Sequence, residues 1–139
     1  MKVKFLMPFL VALFAHLSLN AQQPHDEWGE STGYAYHHLE ELVRDYNSVC
    51  PIRSGNVTVN SYELKNGTLY ISMGVGFMEY DAVCKKTKKV KKRYAKAYAK
   101  EKLGQLCSRH NVNMSLYFEW NGLYGVTIVI TPQDLRKYM

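Results

Sequence analysis

The stretch Val57-Thr58-Val59-Asn60-Ser61-Tyr62-Glu63-Leu64-Lys65-Asn66-Gly67-Thr68-Leu69-Tyr70-Ile71-Ser72-Met73-Gly74-Val75 decides the fold. Val57 to Lys65 is rich in β-formers. Beyond the turn, Leu69, Ile71, Met73, Val75 and Phe77 alternate with Tyr70, Ser72, Gly74 and Gly76. That period of two gives a strand one apolar and one polar face. Asn66-Gly67 between the runs is the strongest short-range signal for a type I′ hairpin, whose two central residues both need positive φ.

Working outward, the same design recurs. Val112, Met114, Leu116, Phe118 and Trp120 alternate with Asn113, Ser115, Tyr117 and Glu119, then Asn121-Gly122 turns the chain into Tyr124–Thr131. A helix precedes each hairpin. In the first, from Tyr34 to Val49, Leu39, Leu42, Val43 and Tyr46 fall at i, i+3, i+4, i+7, and Pro51 stands just past its end. The second is expected from about Asp81 to Arg109. Its apolar stripe drifts from Val90, Tyr94 and Tyr98 to Ala99, Leu103 and Leu106, so a bend or break is expected near Gly104. Cys50 and Cys107 precede their Asn-Gly turns by 16 and 14 residues, as a duplicated helix-strand-strand unit would require. The fold class is α+β: a four-stranded antiparallel sheet with two helices on one face. Thr131-Pro132-Gln133-Asp134 reads as the capped start of a short C-terminal helix.

The N-terminus reads as an export signal. Lys2 and Lys4 precede a largely apolar run from Phe5 to Leu19, which closes on Asn20-Ala21. The expected organisation is a signal peptide over 1–21, a polar arm over 22–33 and one domain over 34–139. No membrane span is expected after cleavage.

Charge is concentrated in one place. Ten of the eighteen residues from Lys85 to Lys102 are basic, and Glu101 alone opposes them, so the block carries +9 against +6 for the whole chain. Loss of Lys2 and Lys4 lowers the chain to +4 and leaves −5 on everything outside the block. Lys88, Lys89, Lys92 and Lys96 could dock on an acidic partner, glycan or lipid, or they could simply be a solvated helix face. Nucleic acid is disfavoured by export and by the scarcity of Arg, the residue suited to bidentate phosphate contacts.

The three cysteines leave two readings open. Cys50 precedes the first turn by about as many residues as Cys84 follows it, which suggests a Cys50–Cys84 bridge with Cys107 free. Alternatively all three are reduced. Cys107 and His110, three apart on a helix, could form a thiol nucleophile and its base, but no turn exposes the sulfur. His37-His38 lacks further ligands at metal-site spacing. Nothing calls for a cofactor, a metal or an enzymatic role.

The polar side of the sheet is the other candidate. Tyr70 and Tyr117, bordered by Tyr62 and Tyr124, stand among small polar residues, a composition suited to recognition. The signal ending Asn20-Ala21-Gln22-Gln23, the helix closing on Cys50-Pro51, the basic helix and Ile130-Thr131-Pro132-Gln133-Asp134-Leu135 resemble small exported proteins of Bacteroidota. That resemblance implies export and no particular activity. The element order is similar to helix-on-sheet units of secreted inhibitor and propeptide-like domains, by fold alone. The expectation is therefore an exported, non-catalytic binding module. A cationic adaptor working through the Lys85–Lys102 helix and a thiol enzyme using Cys107 are the alternatives.

Overall fold

The computed structural model describes residues 32–139. The expected signal peptide lies outside the described residues, as does the arm except for Thr32 and Gly33, which open helix α1 (Thr32–Ser48). Leu39, Leu42, Val43 and Tyr46 form its buried stripe, as their spacing requires. After a cis Cys50–Pro51 peptide the chain enters a strand absent from the sequence reading, β1 (Ile52–Ser54). Gly55, at φ 61°, and Asn56 then return it to β2 (Val57–Lys65). Asn66 and Gly67 take φ 51° and 76° and close the expected two-residue hairpin into β3 (Thr68–Val75).

Three helices replace the single long one: α2 (Phe77–Lys85), α3 (Thr87–Ala99) and α4 (Lys102–Arg109). Phe77 therefore begins a helix rather than ending a strand. The second break falls at Lys100-Glu101, just ahead of Gly104. A side chain on Gly104 would overlap the Tyr98 carbonyl, so this glycine lets α4 start directly against the end of α3. Then come β4 (Asn113–Trp120), β5 (Tyr124–Ile130) and α5 (Pro132–Arg136). Thr131 and Asp134 form a reciprocal capping box ahead of α5, with Pro132 in its first turn.

The sheet has five strands in the order β1-β2-β3-β4-β5. Neighbours are antiparallel except β3 and β4, which run parallel from Thr68↔Asn113 to Gly74↔Glu119. The expected α+β class holds, and the sheet differs from the expected four antiparallel strands only by a fifth strand and one parallel pair. The helical crossover from α2 to α4 carries the chain back to the end where β3 began, and a strand entered that way must run parallel.

The helices of the described residues lie on one face. α1 packs on β2 and against α4, α3 packs against α4 and on β5, and α2 lies over β4 and β5. Leu69, Ile71, Met73, Met114, Leu116, Phe118, Ile128 and Ile130 point into this layer and are at most 3% exposed. Each such side chain contributes roughly 1.5–3 kcal/mol on burial. Val90, Tyr94 and Tyr98 of α3 face the same core, and the Tyr94 ring meets Phe118 edge-on at 5.3 Å. Among the described residues, the opposite face of the sheet carries no helix.

Candidate functional site

The uncovered face is built as the alternation dictates. Tyr70 pairs with Ser115, Ser72 with Tyr117 and Gly74 with Glu119, which brings Tyr70 and Tyr117 onto one half-exposed surface. Tyr117 lies across Gly125 of β5, where any side chain would overlap its ring. At one end of this face, Arg53, Asn56, Thr58, Gly74 and Glu119 line a shallow polar depression of about 400 Å³.

Two of the expected tyrosines are elsewhere, for reasons of register. A bulge between Val59 and Ser61 shifts β2 by one residue and turns Tyr62 inward, where it packs edge-on against Tyr46 at 5.5 Å. The second hairpin pairs Trp120 with Tyr124, so its loop is Asn121-Gly122-Leu123, three residues rather than two. The extra residue puts Tyr124 on the helix side.

There Tyr124 joins a cluster that the sequence reading did not single out. Its ring stacks on Trp120 at 5.4 Å, Trp120 meets Phe77 at 4.9 Å, and Tyr80 approaches both Trp120 and Tyr124. Met78 and Leu123 stand on the same two segments, 83% and 77% exposed, with Phe77 and Tyr124 about half exposed. The start of α2 and the β4–β5 loop thus present a continuous apolar corner. Its sequence signal was apolar residues immediately after turn glycines: Phe77-Met78 after Gly76, and Leu123 after Gly122.

The basic block divides in two. Arg93 donates both to Oε1 and Oε2 of buried Glu79, at 3.2 and 2.9 Å, and the Tyr94 hydroxyl donates to the same carboxylate at 3.0 Å. Lys91 pairs with Asp134 at 3.3 Å, Lys85 with Asp81 at 3.3 Å, and Lys96 stands over the Tyr138 ring. The Arg93 contacts tie α3 to α2, those of Lys91 and Lys96 tie it to the C-terminal segment, and the Lys85 pair stays within α2. Lys88, Lys89 and Lys92 are exposed and make no such contact among the described residues.

Cys107 is fully buried, and burial pushes its thiol far above the ordinary range, with Glu101 adding to the shift. A sulfur in that state is neither accessible nor ionised, so the Cys107 nucleophile is corrected. The Cys50–Cys84 bridge is corrected too: all three cysteines are free. β1 reverses the chain between Cys50 and β2, with Ile52 beside Val59, so Cys50 lies back along the sheet. Cys84 departs beyond Val75, at the other end of β3. Among the described residues no group of three or more His, Cys, Asp and Glu could hold a metal ion, and no helix is long and apolar enough to cross a membrane.

Glu101, the block's one acid, is buried. The Tyr46 hydroxyl donates to it at 2.6 Å, yet burial raises its carboxyl to about 8 against that bond.

Neither a family model nor a curated protein sequence matches the chain. Solved structures resemble it. A Pseudomonas aeruginosa protein described as secreted aligns at TM-score 0.63 and 10% identity, over 70% of this chain and 89% of its own. The pilotin of the Vibrio vulnificus type 2 secretion system aligns at 0.59 and 12%, over 77% and 96%. The pilotin of the Vibrio cholerae type II secretion system aligns at 0.52 and 14%, over 70% and 93%. At these identities the likeness is one of fold.

Proposed function

We propose that this chain is an exported, non-catalytic module that binds another protein. The observation that carries this reading is the apolar corner of Phe77, Met78, Trp120, Leu123 and Tyr124. Large apolar side chains gathered on the surface mark an interaction site, and Trp and Tyr are the residues that anchor such sites. Export is supported by the Lys2–Ala21 pattern. Likeness of fold to secretion-system pilotins supports an envelope adaptor rather than an enzyme. The test is capture from the native envelope by tagged mature protein, compared with a Met78→Glu/Leu123→Glu variant. Saturable retention of one partner by the first and loss by the second is expected. Equal retention by both would overturn this site.

A second reading is favoured by Lys88, Lys89 and Lys92, which among the described residues lack the ion pairs that occupy their neighbours. They would hold the module against an anionic envelope surface. Binding to vesicles of anionic lipid should then fall with salt and vanish on changing all three to Gln. Binding indifferent to salt would remove this reading.

A further inference from the structure

Among the described residues, β5 ends the sheet and β4 is its one neighbour. Their register runs without a shift from Met114↔Ile130 to Trp120↔Tyr124. An antiparallel edge strand directs half of its N–H and C=O groups outward. Among the described residues, no turn or loop backbone hydrogen bond reaches Tyr124 to Val129.

Its sequence, Tyr124-Gly125-Val126-Thr127-Ile128-Val129-Ile130, has no charge, no proline and no bulge. The other edge is defended by brevity, a bulge and charge. There β1 is only three residues long, β2 carries the bulge at Val59/Ser61, and its uncovered part holds Glu63 and Lys65. Edges left in the condition of β5 pair with another strand. Tyr124 and Val129, 51% and 43% exposed, place apolar surface along the rim, and Tyr124 joins that rim to the apolar corner.

We infer that β5 takes an extended, acidic segment of a partner protein as a sixth strand. This rests on the reading of the chain as a protein-binding module and names the surface and chemistry of the partner. The acidity follows from α3, the helix that packs on β5: Thr87–Ala99 contains six basic residues and no acid. Beyond the paired Lys91 and Arg93, it keeps Lys88, Lys89, Lys92 and Lys96 without an ion pair among the described residues. A second copy added through β5 would bring two such helices to one seam, where like charges oppose the pairing. An acidic strand would be drawn to it. Alternate side chains of the added strand would fall on opposite faces. Acids on the helix side would lie nearest the lysines, with β-branched residues beside Thr127 and Val129 on the open face.

The probe is a capped peptide matched in length to β5 that alternates Glu with Val or Thr, titrated into the mature chain. Binding should slow amide exchange within Gly125–Val129. N-methylation of alternate peptide residues should abolish binding in one phase of the alternation and spare it in the other, because only one edge of the added strand faces β5. Changing Lys88, Lys89 and Lys92 to Gln should weaken binding about tenfold, the sum of three exposed charge contacts. Indifference to the phase of methylation, or unchanged β5 exchange at saturation, would overturn the inference. So would protection of β5 that grows with protein concentration alone, which would identify the occupant as a second copy. An envelope partner whose capture ignores the peptide would leave the module reading standing and sink strand addition. Peptide binding with no captured partner would do the reverse.

Discussion

Glu101 couples the burial of one carboxyl to the stability of the fold. Its ordinary value of 4.5 applies to the unfolded chain, and burial raises it to about 8 in the folded one. The folded state therefore holds a proton that the unfolded state has released. The stabilisation is complete below 4.5 and is lost as pH rises towards 8, at up to about 1.4 kcal/mol per pH unit. His110 acts in the opposite sense, since burial and then Arg109 lower it below 6.5. The urea midpoint of the wild type should thus fall between pH 6.5 and 8, where Glu101 dominates, and Glu101→Gln should flatten that slope. A wild-type midpoint constant across that window would contradict the assignment. Glu79 makes a second prediction at the same scale. Arg93→Met would leave its buried carboxylate without the cation and should cost about 3–5 kcal/mol. Lys92→Met, a few ångströms along the same helix, should stay within about 0.5 kcal/mol. Chemical denaturation of the two variants separates the structural arginine from the solvated lysine.

Between elements, single residues decide which face a side chain occupies. The alternation of Leu69 to Val75 and of Met114 to Phe118 was fully legible, because a strand buried on one face must repeat every second residue. So were the α1 stripe, the Thr131–Asp134 cap and the inward set Val90, Tyr94 and Tyr98. The bulge in β2 and the third loop residue at Leu123 were not. Each alters register by one residue, and local propensity carries little information about it. The surface of Tyr70 and Tyr117 was therefore anticipated while the corner at Trp120 and Tyr124 was missed. β1 had a signal, Gly55-Asn56 between short β-prone segments, but three residues are too few to show a period. The parallel β3–β4 pair depends on where the crossover helices return the chain, a tertiary outcome. Two glycines test this close fitting. Gly104→Ala would push into the Tyr98 backbone, which cannot yield, and should cost about 3 kcal/mol. Gly125→Ala meets the side chain of Tyr117 first, and that ring can swing into solvent. It should cost about 1 kcal/mol or less and leave a more exposed tyrosine, read by thermal unfolding and tyrosine iodination.

Across the whole molecule, the cysteines sample three depths of one fold. Cys84 is exposed on α2, Cys50 is half-buried with its thiol raised to about 11 by burial, and Cys107 is sealed between the helices and the sheet. Because none is bridged, stability should be the same with and without reductant, and intact mass should not change on reduction. Their order of reaction with a neutral alkylating agent should follow depth: Cys84 first, then Cys50, then Cys107. Cys107 has no local route to solvent, since Leu103, Leu106 and Val112 on the flanking segments are also buried. Its labelling must wait for an opening that takes α4 off the sheet. In a single-core domain of this size, that opening is global unfolding. The rate of Cys107 modification should therefore rise with urea along the slope of equilibrium unfolding, while Cys84 reacts at a rate nearly independent of urea. A Cys107 rate as flat as that of Cys84 would mean that α4 detaches on its own. The basic helices would then form a separate, mobile layer over the sheet.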